Sequence, residues 1–175
     1  VLASEREVGL YSVAFNLMEG TFFIPTIVMA AIFPRLSQVK HFSAYFRKGV
    51  LLLTLSGIAG GSAVFLLAEW IIHLFFAAEF QHSADILHIL SLAIPLVFLG
   101  YLMTQSLVAL DHNRTYLCIT TGGVLINVLL NFWLIPEHGA SGAAVATVIT
   151  EALILLSCFI MILKYQLSSA PAHVS

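Results

Sequence analysis

Five long apolar stretches occupy most of this chain, and nearly all of its charged residues lie between them. They cover residues 8–34, 49–68, 86–110, 115–136 and 139–163. About 20 apolar residues in a helix cross the roughly 30 Å hydrocarbon core of a bilayer, and each stretch reaches that length. Because backbone polar groups in hydrocarbon must be satisfied within the segment, we expect helices rather than strands. The sequence therefore predicts an all-α, polytopic membrane helix bundle with five transmembrane helices.

Composition excludes a soluble domain. Hydrophobic residues make up 60 % of the chain and charged residues only 9 %, whereas a soluble domain has about 25 % charged residues. The net charge of −2 says nothing about nucleic acid, but no basic tract suggests such a partner, and we expect none. Cys118 and Cys158 lie in separate apolar stretches without CxxC spacing, so we expect two small buried side chains rather than a metal site or a disulfide.

The expected organisation is one transmembrane bundle over residues 1–165, followed by a disordered tail over residues 166–175. The chain begins with a polar segment, has no initiator Met and shows no signal peptide. We therefore interpret it as a fragment of a longer protein.

The loops between the apolar stretches alternate in charge. Six of the seven Lys and Arg residues fall on one side of the predicted membrane, and only Arg6 falls on the other. The six are Arg35, Lys40, Arg47, Lys48, Arg114 and Lys164. Because positively charged loops stay in the cytoplasm, we expect the N-terminus outside and the C-terminus in the cytoplasm.

Prolines and glycines predict irregularities within the helices. Pro25 should kink the first helix, and Pro95 should interrupt the third near mid-span. Gly57 and Gly61 form a GxxxG pair in the second helix, which allows another helix to approach closely. Residues 69–80 are aromatic and polar at their ends, so we expect a separate short element at the outer interface.

Glu19 is the strongest functional signal, because it lies about halfway along the first span. A charge there costs about 2.5–3.5 kcal/mol on insertion scales, so such residues usually face a cavity or a partner. At helical spacing it shares a face with Ser12, Asn16, Phe23 and Thr26. We interpret this stripe as a transport path or coupling-ion site. The alternative is a protonated acid that hydrogen-bonds a neighbouring helix.

Further polar residues interrupt the other apolar stretches and are secondary candidates for the transport path. They are Tyr101, Gln105, Asn127, Asn131 and Glu151. Glu151 follows Thr147 by one turn on a face of small residues, which favours a structural hydrogen bond. The two asparagines share a face and are typical of interhelical hydrogen bonding.

No catalytic centre is evident. His82, Asp85 and His88 are spaced by three residues, but they lie at a wet interface where such residues are common, and we expect no metal site. The sequence has no Ser-His-Asp arrangement and no Gly-rich phosphate loop, so we expect neither an enzyme nor a cofactor.

Three segments resemble a known family. The first is EVGLYSVAFNLMEGTFFIPTIVMAAIFPRLSQ over residues 7–38, and the second is AEWIIHLFFAAEFQHSADILHILSLAIPLVFLGYLMTQSLVALDHNRTYL over residues 68–117. The third is GASGAAVATVITE over residues 139–151. They resemble polysaccharide biosynthesis proteins, the oligosaccharide (O-antigen type) flippases of the multidrug/oligosaccharidyl-lipid/polysaccharide exporter superfamily. The family often has Phe-Gly where this chain has Phe76–Ala77.

The resemblance implies a MATE-like fold of two six-helix bundles, with this chain as helices eight to twelve. It implies a flippase in the cell membrane that moves polyprenyl-diphosphate-linked oligosaccharide by alternating access. The implied partners are the lipid-linked oligosaccharide, membrane lipid, the missing N-terminal half of the transporter and H⁺ or Na⁺ as coupling ion. No Lys or Arg lies at mid-membrane to meet the anionic headgroup. Either the missing half supplies the cations, or the headgroup contacts Arg35, Arg47, Lys48 and Arg114 at the cytoplasmic mouth.

Other functions stay open. A multidrug exporter of the same superfamily would suit the acids at mid-span, because its cargo is an organic cation. A peptidoglycan-precursor flippase is a close variant of the main interpretation. A membrane-embedded glycosyltransferase or ligase is a more distant alternative, since the loops here are short, and a non-transporting membrane scaffold is another.

Overall fold

The computed structural model describes residues 4–38 and 42–168, with side chains described through Tyr165. Within these ranges the chain is helical and contains no strand, which confirms the all-α prediction. The helices are α1 (Glu5–Glu19), α2 (Phe23–Leu36), α3 (Phe42–Phe75), α4 (Ser83–Ser91), α5 (Ala93–Ala109) and α6 (Asn113–Ser168), with 3₁₀ turns at Gly20–Phe22 and Ala78–Phe80. The predicted disordered tail is helical as far as Ser168, and residues 169–175, like Lys40, lie outside the described residues.

Three helical segments are long and apolar enough to cross a membrane: Glu5–Leu36, Phe42–Phe75 and Asn113–Tyr165. Helices α4 and α5, bent by 43° at their junction, pass the same test as a pair. The multi-pass membrane character is thus confirmed. Where each predicted span begins and ends in the bilayer stays a prediction.

Helix α6 is folded back on itself at Gly139. This residue has φ 56° and ψ −137°, a conformation that glycine adopts without a steric penalty. The hydroxyls of Thr115 and Tyr165 lie 2.7 Å apart, although 50 residues separate them in the sequence. Residues 113–138 (the first arm) and 140–168 (the second arm) therefore form an antiparallel hairpin.

A 3₁₀ turn marks the first helix near Pro25, and the kink predicted there stays a prediction. Pro25 has no N–H to offer the carbonyl of Thr21, and the 3₁₀ turn Gly20–Phe22 separates α1 from α2 at that point. A proline also explains the junction of α4 and α5, because Pro95 cannot bond the carbonyl of Ser91, the last residue of α4.

Helix α3 packs directly against this second junction through its GxxxG pair. A Cβ atom at Gly57 would lie 2.9 Å from Pro95 Cα, and one at Gly61 would lie 2.9 Å from the Ser91 carbonyl oxygen. No side chain fits at either position. The predicted close approach of another helix at Gly57 and Gly61 is confirmed.

Two local predictions were wrong. Residues 69–75 are not part of a separate interfacial element, because α3 continues without a break to Phe75. No Gly or Pro occurs between Ser62 and Phe75, so nothing in the backbone stops the helix. Cys158 is buried as expected, but Cys118 is exposed.

The main core lies around α4 and α5. Leu87, Leu90, Ile94, Phe98 and Leu102 are all fully buried there. Helix α5 packs against α2, α3 and α6, and α4 packs against α1, α3 and α6. The α4–α5 unit is therefore the scaffold on which the outer helices are held.

Candidate functional site

The polar stripe predicted on the first helix lies on an open face of α1 and α2. Ser12, Asn16, Glu19, Phe23 and Thr26 are all exposed. The opposite face of α1 is buried through Leu10, Ala14 and Met18. The structure therefore brings these five residues together on one surface that no described helix covers.

Within this stripe, two side chains are already satisfied by their own helix. The Ser12 hydroxyl donates to the Val8 carbonyl at 2.7 Å, and the Thr26 hydroxyl donates to the Phe22 carbonyl at 2.8 Å. The side chains of Asn16 and Glu19 make no hydrogen bond or ion pair with any residue in the described part of the chain. Asn16 and Glu19 are thus the groups of the stripe that are available to a ligand, to water or to another protein segment.

A second polar cluster joins α1 to the α6 hairpin. The Tyr11 hydroxyl lies 3.0 Å from the Thr147 hydroxyl, which in turn donates to the Ala143 carbonyl at 3.1 Å. Tyr11 was not predicted as part of any site. Its partner is 136 residues away, so no local pattern could have identified the contact.

Asn127 links the two arms of the hairpin, and Asn131 bonds to Asn127 within the first arm. Asn127 Nδ2 donates to the Thr150 hydroxyl at 3.2 Å, and Asn131 Nδ2 donates to Asn127 Oδ1 at 2.9 Å. Among the described residues, Asn131 Oδ1 is buried without a hydrogen-bond partner. Both asparagines and Tyr11 line a cavity of about 350 Å³ beside the Gly139 turn. The structural role expected of the amides is present, and a transport role stays a prediction.

The remaining intramembrane candidates are half-buried and do not belong to the exposed stripe. Tyr101 packs against the main core, and Gln105 follows one turn later on α5. Glu151 lies one turn after Thr147 on the second arm. Within the part of the chain that the structure describes, none of the three side chains makes a hydrogen bond.

The exposed basic side chains Arg35, Arg47, Lys48 and Arg114 gather at one end of the bundle. Arg35 lies in the last turn of α2, and Arg47 and Lys48 lie in the second turn of α3. Phe46 and Val50 of α3 pack near Tyr116 and Tyr165, which places the start of α3 beside the start of α6. Lys48 Nζ lies 5.3 Å from the centre of the Tyr45 ring.

The other end of the bundle is acidic. The Ser83 hydroxyl donates to the Leu10 carbonyl at 2.9 Å, which brings the start of α4 beside the start of α1. Glu7 contacts the Gly139 turn at the same end. Of the His82, Asp85 and His88 set, His88 packs against the Phe65 ring with centroids 4.6 Å apart.

Comparisons with known proteins agree with this architecture. Over 158 residues, or 87 % of its length, the chain is 27 % identical to the "Probable low-salt glycan biosynthesis flippase Agl15" of Haloferax volcanii. It is also 25 % identical over 156 residues, or 85 % of its length, to the "Putative O-antigen transporter" of Shigella flexneri. The chain covers 34 % and 37 % of these two relatives, about a third of their length. No solved structure matches. The model of the MatE family matches residues 2–133, about three quarters of the sequence, and the chain therefore belongs to the MatE family.

Proposed function

We propose that this chain is the second-half helix bundle of a flippase that moves polyprenyl-diphosphate-linked oligosaccharide across the cytoplasmic membrane by alternating access. The observation that carries the proposal is the open stripe on α1 and α2, where Glu19 and Asn16 are exposed and unbonded among the described residues. The names of both relatives, a glycan biosynthesis flippase and an O-antigen transporter, support the substrate class.

The stripe needs a polar environment. Glu19 lies in an apolar helix, and a lipid-facing charge at that depth costs about 2.5–3.5 kcal/mol on insertion scales. Since no described residue pairs with it, the stripe must face a water-filled path or a protein segment outside the described residues. In a transporter built from two bundles, the surface between the bundles provides such a path.

The two ends of the bundle differ in charge, and we assign the diphosphate to the basic end. Arg35, Arg47, Lys48 and Arg114 form an exposed basic end that suits the anionic diphosphate, because Lys and Arg bind phosphate oxygens through charge-assisted hydrogen bonds. We place this end in the cytoplasm, where positive loops are retained. The diphosphate would load there, and the glycan would pass along the stripe.

Glu19 has a distinct role in this scheme. A carboxylate repels a diphosphate, so we assign Glu19 to a coupling H⁺ or Na⁺ or to sugar hydroxyls, and not to the headgroup. The polar cluster around Tyr11, Asn127 and Asn131 is a second place for a coupling ion, because its cavity offers hydroxyl and amide oxygens.

The test follows translocation of a polyprenyl-diphosphate oligosaccharide in liposomes that contain the full-length protein with this chain. We expect Glu19→Gln to slow transport at least about tenfold, a loss of about 1.4 kcal/mol of coupling or binding free energy. Glu137→Gln is the matched control, because it makes the same change at an exposed acid outside the stripe. Transport that Glu19→Gln leaves unchanged would exclude Glu19 from the mechanism.

A second candidate function is the export of organic cations. The observation that favours it is the pair of acids within the predicted spans, Glu19 and Glu151, with no Lys or Arg at the same depth. An organic cation is therefore run beside the lipid-linked sugar in the same liposomes. Movement of the cation alone would reject the flippase and make these acids the binding groups. Arg35→Ala separates the two functions further, because only the flippase requires a basic contact for its headgroup.

A further inference from the structure

A cavity of about 500 Å³ lies at the acidic end of the bundle, between the last turns of α3 and the start of α4. Its polar lining consists of Glu69, Trp70, His73, Gln81 and Asp85, over Ile72 and Ala84. The volume falls within the roughly 300–1,000 Å³ of typical ligand pockets. None of the stripe residues and none of the four basic residues lines this cavity.

The length of α3 leads us to expect this cavity beyond the hydrocarbon core. A helix of 34 residues is about 51 Å long, and the core is only about 30 Å thick. The run of α3 without a charged residue covers 49–68, about the thickness of the core, so we expect Glu69, Trp70 and His73 to lie in the headgroup region or the water beyond it. A ligand in this cavity would therefore be a water-soluble group and not a lipid chain.

The lining offers both donors and acceptors of hydrogen bonds. The Trp70 indole, the His73 ring and the Gln81 amide can donate, and the Glu69 and Asp85 carboxylates can accept. Within the described residues none of these five side chains is hydrogen-bonded. The Trp70 side chain is 60 % exposed, so its ring is available as an apolar platform.

This mixture selects among ligand classes. An organic ammonium can lie on the Trp70 ring beside the two carboxylates, but it accepts no hydrogen bond, so it gives no partner to the Trp70, His73 and Gln81 donors. A phosphate would be repelled by the two carboxylates, and no Lys or Arg lines the cavity. A sugar hydroxyl both donates and accepts, and the apolar face of a sugar ring can lie on an indole. An uncharged sugar matches every group in the lining.

We propose that this cavity binds an uncharged, hydroxyl-rich sugar residue on the side of the membrane opposite the basic end. Binding itself follows from the chemistry of the lining, whereas its meaning as a subsite for the exported glycan rests on the proposed function. The basic end would then hold the diphosphate before transport, and this cavity would hold the glycan after it.

Binding is tested on the full-length protein in lipid nanodiscs by saturation-transfer NMR. The probes are neutral oligosaccharides built of hexose and N-acetylhexosamine units, with choline chloride and inorganic diphosphate in parallel samples. We expect saturable binding of an oligosaccharide and at least about tenfold weaker binding in Trp70→Ala. Trp133→Ala is the matched control, because Trp133 is also exposed, at 71 %, but lies on α6 away from the cavity.

Three outcomes would overturn the proposal: no neutral oligosaccharide binds, choline displaces the sugar, or Trp70→Ala binds the sugar as well as the parent does. Unchanged sugar binding in Trp70→Ala would indicate that Trp70 only anchors α3 at the membrane interface. Translocation by the parent, measured in parallel, separates this proposal from the previous one. Sugar binding without translocation would refute the flippase function but support the sugar site in the cavity. Translocation without sugar binding would support the flippase function but refute the sugar site.

Discussion

The contact between the α3 glycine pair and the α4–α5 junction provides a quantitative test of the fold. In Gly57→Ala, the new methyl group would lie 2.9 Å from Pro95 Cα and 3.3 Å from Phe98 Cβ. Carbon atoms prefer separations of about 3.5–4.0 Å. Because the first of these neighbours is backbone, it cannot rotate away as a flexible side chain would. Gly57→Ala should therefore push α3 away from α5.

Gly60 supplies the control for this substitution, because it lies on the same helix, three residues after Gly57, but does not face the junction as closely. A methyl group at Gly60 would meet only Ile94 Cγ2 at 3.9 Å, an ordinary van der Waals distance. Both substitutions replace Gly by Ala within a helix, which favours the helix by about 1 kcal/mol in each case. This gain cancels in the comparison between the two variants.

What remains is the cost of overpacking, typically 1–3 kcal/mol. We expect Gly57→Ala to be less stable than Gly60→Ala by about 2 kcal/mol, or about thirtyfold in the unfolding constant. Gly61→Ala should behave like Gly57→Ala, because its methyl group would lie 2.9 Å from the Ser91 carbonyl oxygen.

The assay is reversible unfolding in mixed detergent and SDS micelles, followed by circular dichroism. Equal stability of Gly57→Ala and Gly60→Ala would show that α3 does not approach the α4–α5 junction this closely. In that case, a destabilised Gly61→Ala would indicate that only the turn around Gly57 is misplaced. A fully stable Gly61→Ala would indicate that α3 packs against a different helix.

Three further predictions concern α6 and the orientation of the chain. Asn127→Ala removes the hydrogen bond between the arms of the hairpin, and we expect a loss of about 1 kcal/mol in the same unfolding assay, since such bonds average about 0.6 and reach about 1.7 kcal/mol. Gly139→Ala places a side chain at φ 56° against Glu7, so we expect a loss near the upper end of the 1–3 kcal/mol that backbone strain costs. Ala44→Cys, in a Cys118→Ser background, should react with a membrane-impermeant thiol reagent only after the cytoplasmic side is opened.

Each of these predictions has its own control or contrary outcome. Thr120→Val changes a hydroxyl that bonds its own helix, so a loss equal to that of Asn127→Ala would argue against a specific interhelical bond. Gly122→Ala has no atom within 4 Å of the new methyl group and should be tolerated. If Gly139→Ala is tolerated equally, the turn does not require glycine. Labelling of residue 44 from outside intact cells would reverse the proposed orientation.

The features that could be predicted from the sequence are those that depend on neighbouring residues. Apolar length identified the helical stretches, and Pro25 and Pro95 located both interruptions, because a proline acts on the carbonyl four residues before it. The continuation of α3 through Trp70 was missed, because polar residues there suggested an interface element. The uninterrupted run without Gly or Pro was the signal that could have revealed it.

The features that could not be predicted depend on residues far apart in the chain. Helical spacing showed that Glu19 and Asn16 share a face, but only the packing of α1 against α4 and α6 shows that this face is open. The bonds from Tyr11 to Thr147 and from Asn127 to Thr150 join different helices, and no spacing rule pairs them. A polar residue within a span therefore indicates a partner or a cavity without identifying which.

The 3₁₀ turn at Gly20–Phe22 has a mechanical consequence for the residue just before it. Three residues at 3.0 per turn wind the backbone about 60° further, and about 1.5 Å longer, than three residues at 3.6 per turn. Glu19 and Phe23 stand on either side of this overwound segment. If the turn relaxed to α-helix, the carboxylate of Glu19 would swing around the helix axis by about 60° relative to α2. Such a torsional motion would change the direction in which the Glu19 carboxylate points while the axis of the helix stayed in place.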